Sequence, residues 1–384
     1  MPFPVTMLLD RDAPSETFIR REAALLRERG WTLHLRYLTG GEGTLRHALR
    51  LCPRGHRLRF ARVALGRAAA MLARSPADAL RILKRLPQAA ALAHGLAETG
   101  SRLVWAQFAG ITADIAAIAA ATLGRPWICS VHARDVFTPA RSVLARRLRG
   151  ARRVIACSQA AADAVCASGI ARERVEVVRH GVALAPVTAD ARNAPHVIFS
   201  AGRFEPKKGF DTLLRACALL HARDIPFACR IAGEGSLGDE LCRLAESLGI
   251  GRAVTFTGWL AERRTLGEIC GASVVALASR RLPNGDRDGI ANILLEALAA
   301  GTPVVTTAAG AAAEVIQDGL NGRLVPPDDP EALAAALAEV LVSPETRQRL
   351  ATAGRRTIAD TFDPATNIRK LEDILTRFGQ GDLS

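Results

Sequence analysis

Short apolar runs alternate along the chain with stretches in which apolar residues recur every three or four positions. Runs such as VTMLL and PVVTT are typical of strands buried on both faces. We predict strands at 5–9, 33–38, 103–107, 127–131, 153–157, 175–179, 197–201, 228–232, 254–257, 274–278 and 304–307. The periodic stretches predict helices, for example at 15–28, 159–167 and 210–222. Strands that alternate with helices indicate parallel sheets built from βαβ units, so we expect an α/β fold.

The chain has 384 residues, a length that suggests two domains. Residues 183–195 are rich in Ala and Pro and show no periodicity, so we predict an interdomain linker there. We therefore expect an N-terminal domain over 1–190 and a C-terminal domain over 191–362, followed by a terminal helix within 363–384. No apolar run is long enough to span a bilayer, and we expect no signal peptide and a cytoplasmic protein. The eight cysteines form no CxxC pair, which favours buried thiols over a zinc site.

The charge of the chain is unevenly distributed. The formal net charge is +13, of which residues 1–190 carry +15 and residues 191–384 carry −2. A predicted helical insertion over 44–98 holds eleven basic residues between positions 44 and 86, against the single acid Asp78. A basic amphipathic segment of this kind is typical of proteins that lie on an anionic membrane surface, although a solvated helical face is an alternative. With 4% aromatic residues the chain has few stacking platforms, which argues against a nucleic-acid partner.

The loop after the strand at 197–201 holds three cations, Arg203, Lys207 and Lys208, and is closed by Gly209. Cations at the carboxyl end of a parallel strand, beside the start of a helix, suit a phosphate or diphosphate. The chain has 47 arginines and only four lysines, so two adjacent lysines here indicate that a compact ammonium group is required. A solvated surface loop is the alternative.

Two further loops extend this candidate site. Gly233 and Glu234 lie in a glycine-rich turn after the next strand, where a backbone can approach a ligand closely or simply turn. A helix predicted over 290–300 should offer free backbone N–H groups to a diphosphate or to sugar hydroxyls, and we assign them to Gly289, Ile290, Ala291 and Asn292.

Two carboxylates accompany that helix. Asp288 and Glu296 are eight residues apart, about 12 Å along a helix axis, which fits one carboxylate at a sugar ring and the other at a ribose. A salt bridge on the helix face is the alternative for Glu296. Asp286 and Asp288 also form a DxD pattern, which can bind a divalent metal. We expect no metal, because the basic loop and the helix N-terminus already compensate a diphosphate.

These residues stand within a longer ordered set of motifs. The segments are PSETFIRREAALLRERG (14–30), WAQFAG (105–110), SVHARDVF (130–137), CSQAAADAV (157–165), VVRHGV (177–182), AGRFEPKKGFDTLL (201–214), IAGEGSL (231–237), VTFTGWL (254–260), DRDGIANILLEALAAGTPVVTT (286–307) and DGLNGRLVPPDDP (318–330). Together they resemble the retaining glycosyltransferases of family 4, in particular the bacterial branch that builds exopolysaccharides of the colanic-acid type. The resemblance covers nearly the whole chain.

The resemblance implies a GT-B fold, with two Rossmann-like doubly wound domains that face a cleft and a terminal helix that returns to the first domain. It implies that Arg203 and Lys208 bind the donor diphosphate and stabilise the leaving group. Asp288 would contact the transferred sugar and Glu296 the ribose, while His132 of the first domain would face the sugar. The catalytic residues would then be Arg203, Lys208, His132 and Asp288. The role of His180 is left open.

The implied reaction is a retaining, metal-independent transfer of a hexosyl group from a UDP- or GDP-linked sugar to a glycan or lipid-linked acceptor, without a cofactor. Three departures from the family pattern stand out: Asp288 replaces the usual Glu, Ala291 stands where Pro is common, and Trp105 stands where His is frequent. The alternatives are a sugar-nucleotide epimerase or hydrolase on the same fold, or a non-catalytic membrane-binding protein with a degenerate donor site. The intact set of Arg203, Lys208 and Glu296 argues against the last.

Overall fold

A computed structural model describes residues 2–10, 17–38, 43–72, 75–185 and 196–379. The chain folds into two compact units. Unit 1 comprises Met1–Cys157, Ala161–Gly181 and Ala365–Ser384, and unit 2 comprises Ser158–Ala160 and Val182–Pro364. Most of the predicted linker, residues 186–195, lies outside the described residues.

Unit 1 contains a parallel six-stranded sheet in the order β2-β1-β3-β4-β5-β6. Its strands are β1 (Val5–Leu9), β2 (Leu33–Tyr37), β3 (Leu103–Gln107), β4 (Trp127–Val131), β5 (Arg153–Ala156) and β6 (Val175–Val177). Its helices up to β6 are α1 (Thr17–Glu28), α2 (Leu45–Leu51), α3 (Arg57–Leu72), α4 (Pro76–Lys84), α5 (Leu86–Glu98), α6 (Ile111–Leu123), α7 (Ala133–Phe137), α8 (Arg141–Leu148) and α9 (Gln159–Ala167). The predicted insertion over 44–98 is thus four helices, α2 to α5, between β2 and β3.

Helices cover both faces of this sheet, which explains why its central strands are apolar at nearly every position. Along β3 the side chains alternate between two cores. Val104 and Ala106 belong to one core together with residues of α3, α5 and α6. Leu103 and Trp105 belong to the opposite core, which includes Ile19 of α1.

Unit 2 repeats this architecture with the strand order β12-β11-β10-β7-β8-β9, again all parallel. Its strands are β7 (Val197–Ala201), β8 (Ala228–Ala232), β9 (Val254–Gly258), β10 (Val274–Leu277), β11 (Val304–Thr307) and β12 (Arg323–Val325). Its helices are α10 (Phe210–His221), α11 (Gly238–Ser247), α12 (Glu262–Gly271), α13 (Asn292–Ala300), α14 (Pro330–Val342) and α15 (Pro344–Thr361). The chain runs from β7 outward to β9 and then returns to place β10 on the other side of β7. The carboxyl ends of β7 and β10 therefore flank a topological switch point, the place where open α/β sheets bind ligands.

The last helix, α16 (Pro364–Gly379), returns to unit 1. Its apolar residues Ile368, Leu371, Ile374 and Leu375 are buried in the same core as Trp105. Among the described residues, no helix is both long and apolar enough to cross a membrane.

Candidate functional site

The basic loop of unit 2 lies against the carboxyl end of β10. Gly209 closes the loop at φ +63°, and a Cβ atom there would lie 1.8 Å from the carbonyl oxygen of Ala278. Only glycine permits this backbone conformation and this approach together. The glycine thereby brings the lysines that precede it to the residues that follow β10.

Lys208 and Asp288, two predicted site residues that are 80 positions apart, are in direct contact. The Lys208 Nζ donates to Asp288 Oδ2 at 2.8 Å, and the hydroxyl of Ser279 donates to the same oxygen at 2.7 Å. Both charged side chains are largely buried, with exposed fractions of 13% and 11%. Ser279 lies two residues beyond the end of β10 and has no signal in the sequence that marks it as a site residue.

Burial alone would raise the pKa of Asp288. The charge of Lys208 and the hydrogen bonds from Lys208 and Ser279 outweigh that effect and hold the pKa of the carboxyl below its ordinary value. Asp288 is thus an anion at neutral pH, with its charge compensated by a lysine inside the site.

Lys207 has a different environment from its neighbour. Its side chain is buried, and its Nζ donates to Asp286 Oδ1 at 3.1 Å. Each of the two carboxylates in the DxD pattern therefore accepts a hydrogen bond from a lysine ammonium group. The third cation, Arg203, is half-exposed and pairs with Glu205 at 2.6 Å.

The turn after β8 packs on the loop after β7. Gly233, at φ +139°, would place a Cβ atom 1.9 Å from the carbonyl oxygen of Gly202, so a side chain is excluded there. Glu234 accepts a hydrogen bond at its backbone carbonyl from Phe204 and is exposed at its side chain, which accepts from the backbone N–H of Trp259. Gly233 and Glu234 thus lie beside the basic loop, because β7 and β8 are neighbours in the sheet and their carboxyl ends are adjacent.

The predicted start of α13 was wrong by two residues. The helix begins at Asn292 and not at Ile290, with Ala291 as an N-cap that offers no side-chain hydrogen bond. Gly289 and Ile290 lie before the helix, so the 12 Å separation of Asp288 and Glu296 that assumes a continuous helix does not apply. Glu296 is half-buried on α13.

Gly310 is a further site glycine that the sequence pattern did not single out. It lies after β11 at φ +63°, and a Cβ atom there would be 2.1 Å from the carbonyl oxygen of Asp288. The close approach of Gly310 fixes the backbone at Asp288, whose side chain is held by Lys208 and Ser279. A glycine after a strand carries no mark of this partner in the sequence.

In unit 1, His132 follows β4 and is the N-cap of α7. Asp135 accepts from the His132 backbone N–H at 2.9 Å and also from that of Ala109. The ring Nε2 lies 3.4 Å from the side-chain oxygen of Gln107. Burial, with a smaller contribution from the charge of His180, lowers the pKa of His132 well below its ordinary value. His132 is therefore held as a neutral imidazole.

His180 has the opposite protonation preference. Its Nδ1 lies 2.7 Å from Glu22 Oε1, and its ring contacts that of Phe18 at a tilt of 36°, with centroids 4.2 Å apart. Burial alone would lower the pKa of His180, but the charge of Glu22 and the hydrogen bonds with Cys157 and Glu22 raise it to about 10. Unit 1 thus places a neutral and a protonated histidine side by side, with stacked rings 5.6 Å apart. Glu22, on α1, was missed because nothing in the sequence marks it among the acids of that helix.

Cys157 completes this cluster. Within the described part of the chain, it forms with His132 and His180 the group whose ligand atoms, all within 4.8 Å of one another, are close enough to hold a metal ion. A metal-ligating histidine often has a carboxylate on its other ring nitrogen, as Glu22 lies on His180. Both histidines already have internal hydrogen-bond partners, and a metal would have to displace the proton that Glu22 stabilises on His180. The absence of a metal stays a prediction.

Comparison with known proteins identifies the family. Residues 15–185 match the family model described as Glycosyltransferase Family 4, and residues 188–357 match that of Glycosyl transferases group 1. The chain belongs to the glycosyltransferases. The basic loop, the turn after β8 and α13 fall within the group 1 match, and His132 and His180 fall within the Family 4 match.

Curated relatives share about a third of their aligned residues with this chain. Over 211 residues it is 31% identical to a protein named as colanic acid biosynthesis glycosyltransferase WcaL from Salmonella typhimurium, with 54% of this chain and 52% of the relative covered. Over 166 residues it is 34% identical to the lipopolysaccharide core biosynthesis glycosyltransferase LpsE of Rhizobium meliloti, with 43% and 45% covered. A GDP-mannose-dependent mannosyltransferase that acts on phosphatidylinositol monomannoside, from Mycolicibacterium smegmatis, is 32% identical with 47% of each chain covered. The chain spans about half the length of the curated relatives it matches.

Solved structures match over nearly the full length and show the GT-B fold. HepE from Anabaena, in complex with UDP-glucose, has a TM-score of 0.73 at 18% identity, covering 97% of this chain and 99% of that chain. A sucrose-phosphate synthase from Thermosynechococcus elongatus has the same TM-score and identity, covering 97% and 98%. The predicted fold class is confirmed: two parallel sheets, each covered by helices.

Proposed function

We propose that this protein transfers a hexosyl group from a nucleotide sugar to a glycan or lipid-linked acceptor in the synthesis of a cell-surface polysaccharide. The observation that carries the proposal is the Lys208–Asp288–Ser279 cluster at the switch point of unit 2. A cation held at this place suits the diphosphate of a nucleotide sugar. The name of the GDP-mannose-dependent relative supports the donor class, and the names of the other two relatives support the use in polysaccharide synthesis.

The chemistry we propose is the departure of the nucleoside diphosphate, with its growing negative charge stabilised by fixed donors. Lys208 and Arg203 supply cations, and the uncapped N-terminus of α13 supplies backbone N–H groups. The acceptor then attacks on the face that the diphosphate has left, so that the configuration at the anomeric carbon is retained. Asp288 orients the transferred sugar and Glu296 binds the ribose.

Metal independence is part of the proposal. Asp286 and Asp288 each accept a hydrogen bond from a lysine, so their charges are already compensated without a divalent ion. His132, as a neutral imidazole, can exchange hydrogen bonds with a sugar hydroxyl without adding charge. We propose the cytoplasm, with peripheral attachment to the inner face of the membrane, as the place of action.

The test is a thermal-unfolding panel with UDP-, GDP- and ADP-sugars in EDTA, on the wild type and on Glu296→Ala. A ligand at a hundredfold excess over its Kd stabilises the native state by about 2.7 kcal/mol. We expect one nucleotide class to raise the Tm of the wild type and to lose that effect in Glu296→Ala. Transfer to an acceptor, followed by NMR, should give a product with the donor's anomeric configuration.

Three results would contradict the proposal. Consumption of the nucleotide sugar at the same rate without any acceptor would favour the epimerase or hydrolase. A Tm that responds to no donor would favour a degenerate site. A requirement for a divalent ion in the transfer assay would overturn the metal-independent mechanism.

A further inference from the structure

A row of exposed leucines lies on the helical insertion of unit 1. Nine large apolar side chains are exposed among the described residues, and five of them fall on the short segment from α2 to α4. These five are Leu51 (39% exposed), Leu58 (90%), Leu65 (48%), Leu72 (59%) and Leu80 (55%). Scattered exposed leucines are ordinary, but a concentration of this kind marks an interaction surface.

Three of these leucines form one line along α3. Leu58, Leu65 and Leu72 are spaced seven residues apart, and positions with this spacing drift by only about 20° per heptad around a helix. The line is about 21 Å long at 1.5 Å per residue. A separate face of α3, roughly 100° around the helix from the leucine line, packs into unit 1 through its buried residues Phe60, Ala64, Ala68 and Met71. Folding therefore uses one apolar face of α3 and leaves the second one in water.

The exposed leucines are surrounded by cations. The exposed basic residues of α2 to α4 and the turns between them are Arg46, Arg50, Arg54, Arg59, Arg62, Arg81 and Lys84. The single acid of the segment, Asp78, is already paired with Arg81 at 3.2 Å and with Arg146 of α8 at 3.3 Å. The surface is thus strongly positive around an apolar line.

The inner face of α3 is fixed by charge as well as by packing. Arg67 turns inward to the buried carboxylate of Asp114 on α6, at 3.4 Å, whereas Arg62 remains exposed. Because Arg67 and the four buried side chains anchor the helix, the outward line of leucines is held in place before any partner binds.

We propose that this leucine–arginine face, defined by Leu58, Leu65 and Leu72 with Arg59 and Arg62, docks on a bilayer surface rich in anionic phospholipid. The leucines enter the boundary between head groups and acyl chains, and the arginines bind lipid phosphates. This inference rests on the proposed function and specifies its membrane partner. It gives the transferase a way to meet a lipid-linked acceptor.

Charge and composition favour lipid over two other partners. A second copy of the chain, related by a twofold axis, would bring the same arginines against one another, which opposes association. Single-stranded nucleic acid is bound by stacking on aromatic side chains, and the aromatic residue of α3, Phe60, is buried.

The experiment is vesicle flotation with phosphatidylcholine alone and with an equal mixture of phosphatidylcholine and phosphatidylglycerol. We expect the wild type to partition at least about tenfold more strongly onto the anionic vesicles, with a loss of binding between about 50 and 500 mM NaCl. The triple variant L58S/L65S/L72S should lose about tenfold of that binding, since it keeps the charge but not the apolar line. The matched control L320S/V342S removes two exposed apolar side chains of unit 2 and should bind like the wild type.

Each other outcome would overturn the docking proposal. One such outcome is equal binding of the wild type to both vesicle types. Another is binding of the triple variant as strong as that of the wild type. The third is a wild type that is dimeric in solution and a triple variant that is monomeric. Unchanged thermal unfolding of the triple variant checks that it is folded. The donor-sugar Tm panel needs no lipid, so a failed panel with intact vesicle binding rejects the proposed function alone, and the reverse result rejects the docking alone.

Discussion

Replacing Lys208 by methionine removes the ammonium group from the centre of the candidate site while keeping the length of its apolar stem. The Asp288 carboxylate would then be buried without its cation, retaining the Ser279 hydroxyl at 2.7 Å as its hydrogen-bond donor. Breaking a buried ion pair by removing one partner costs about 3–5 kcal/mol. The nearby charge of Lys207 and protonation of Asp288 limit the loss, so we expect about 3 kcal/mol. In a unit of 150–250 residues this corresponds to a Tm decrease of roughly 6–12 °C.

The stabilities of the wild type and of the Lys208→Met variant should respond to pH in opposite directions. The pKa of Asp288 lies below the unfolded value, so its contribution in the wild type is present above about pH 4 and is lost as the pH falls through the folded value. Without Lys208, burial dominates and raises the pKa of Asp288. The variant then gains stability as the pH falls from about 7 toward 4.5, so the difference in the free energy of unfolding between the variant and the wild type should become smaller. Calorimetry at several pH values measures this directly.

Two further variants separate stability from catalysis. K208M/D288N removes both charges and should recover much of the stability, with a coupling energy of about 2 kcal/mol, but no transferase activity. The matched pair is K207M/D286N, which removes the neighbouring buried ion pair from the same loop and should keep most of the activity. A K208M Tm within about 2 °C of the wild type, or a stability difference that does not change with pH, would refute the argument. An active K208M/D288N enzyme would refute the catalytic assignment.

Two other predictions test individual contacts. Gly209→Ala should lower the free energy of unfolding by roughly 3 kcal/mol, because its Cβ would meet the Ala278 carbonyl oxygen at 1.8 Å. The control Gly249→Ala has a similar φ but lies in open space, and it should lower the free energy of unfolding by only about 1 kcal/mol. Equal losses for the two variants in denaturant titrations would contradict this prediction. Glu22, with a further contribution from Cys157, raises the pKa of His180 to about 10, so the stabilisation by the protonated His180 is complete below about pH 6.5 and is lost as the pH rises toward 10, by at most about 5 kcal/mol. Glu22→Gln should flatten that loss in urea titrations from about pH 6.5 to 10, and an unchanged profile would show that Glu22 does not set the pKa.

The strands were predictable because the sheets are covered on both faces, so that nearly every position of β1, β3 and β4 is apolar. All eleven predicted strands exist, with ends that differ by at most two residues. The strand β12, which has three residues at the edge of its sheet, was not predicted. The first turn of α13 was misplaced because Ile290 and Ala291 continue the apolar pattern of the helix although their backbone precedes it.

The partners within the sites were not predictable, because topology and not spacing brings them together. Lys208 meets Asp288 only because β10 returns to the side of β7, and Gly310 supports Asp288 from a third strand. His180 and Glu22 are 158 positions apart, and no local pattern links them. Residue type at a strand end indicated candidate site residues, and only the fold showed which of them are in contact.

Arg203 and Lys208, the two cations that we assign to the donor diphosphate, differ in the free energy needed to move each from its carboxylate partner to a phosphate. Arg203 is half-exposed, and its pair with Glu205 is of the surface type that contributes about 0–1 kcal/mol, so a phosphate can take the arginine at little cost. Lys208 is buried with Asp288, and a phosphate must share the ammonium with the carboxylate. On the proposed mechanism Lys208 therefore joins the diphosphate to the residue that orients the sugar. Lys208, Ser279 and the backbone contact with Gly310 set the position of Asp288. On the proposed mechanism, these contacts let an aspartate take the place of the longer glutamate of the family pattern.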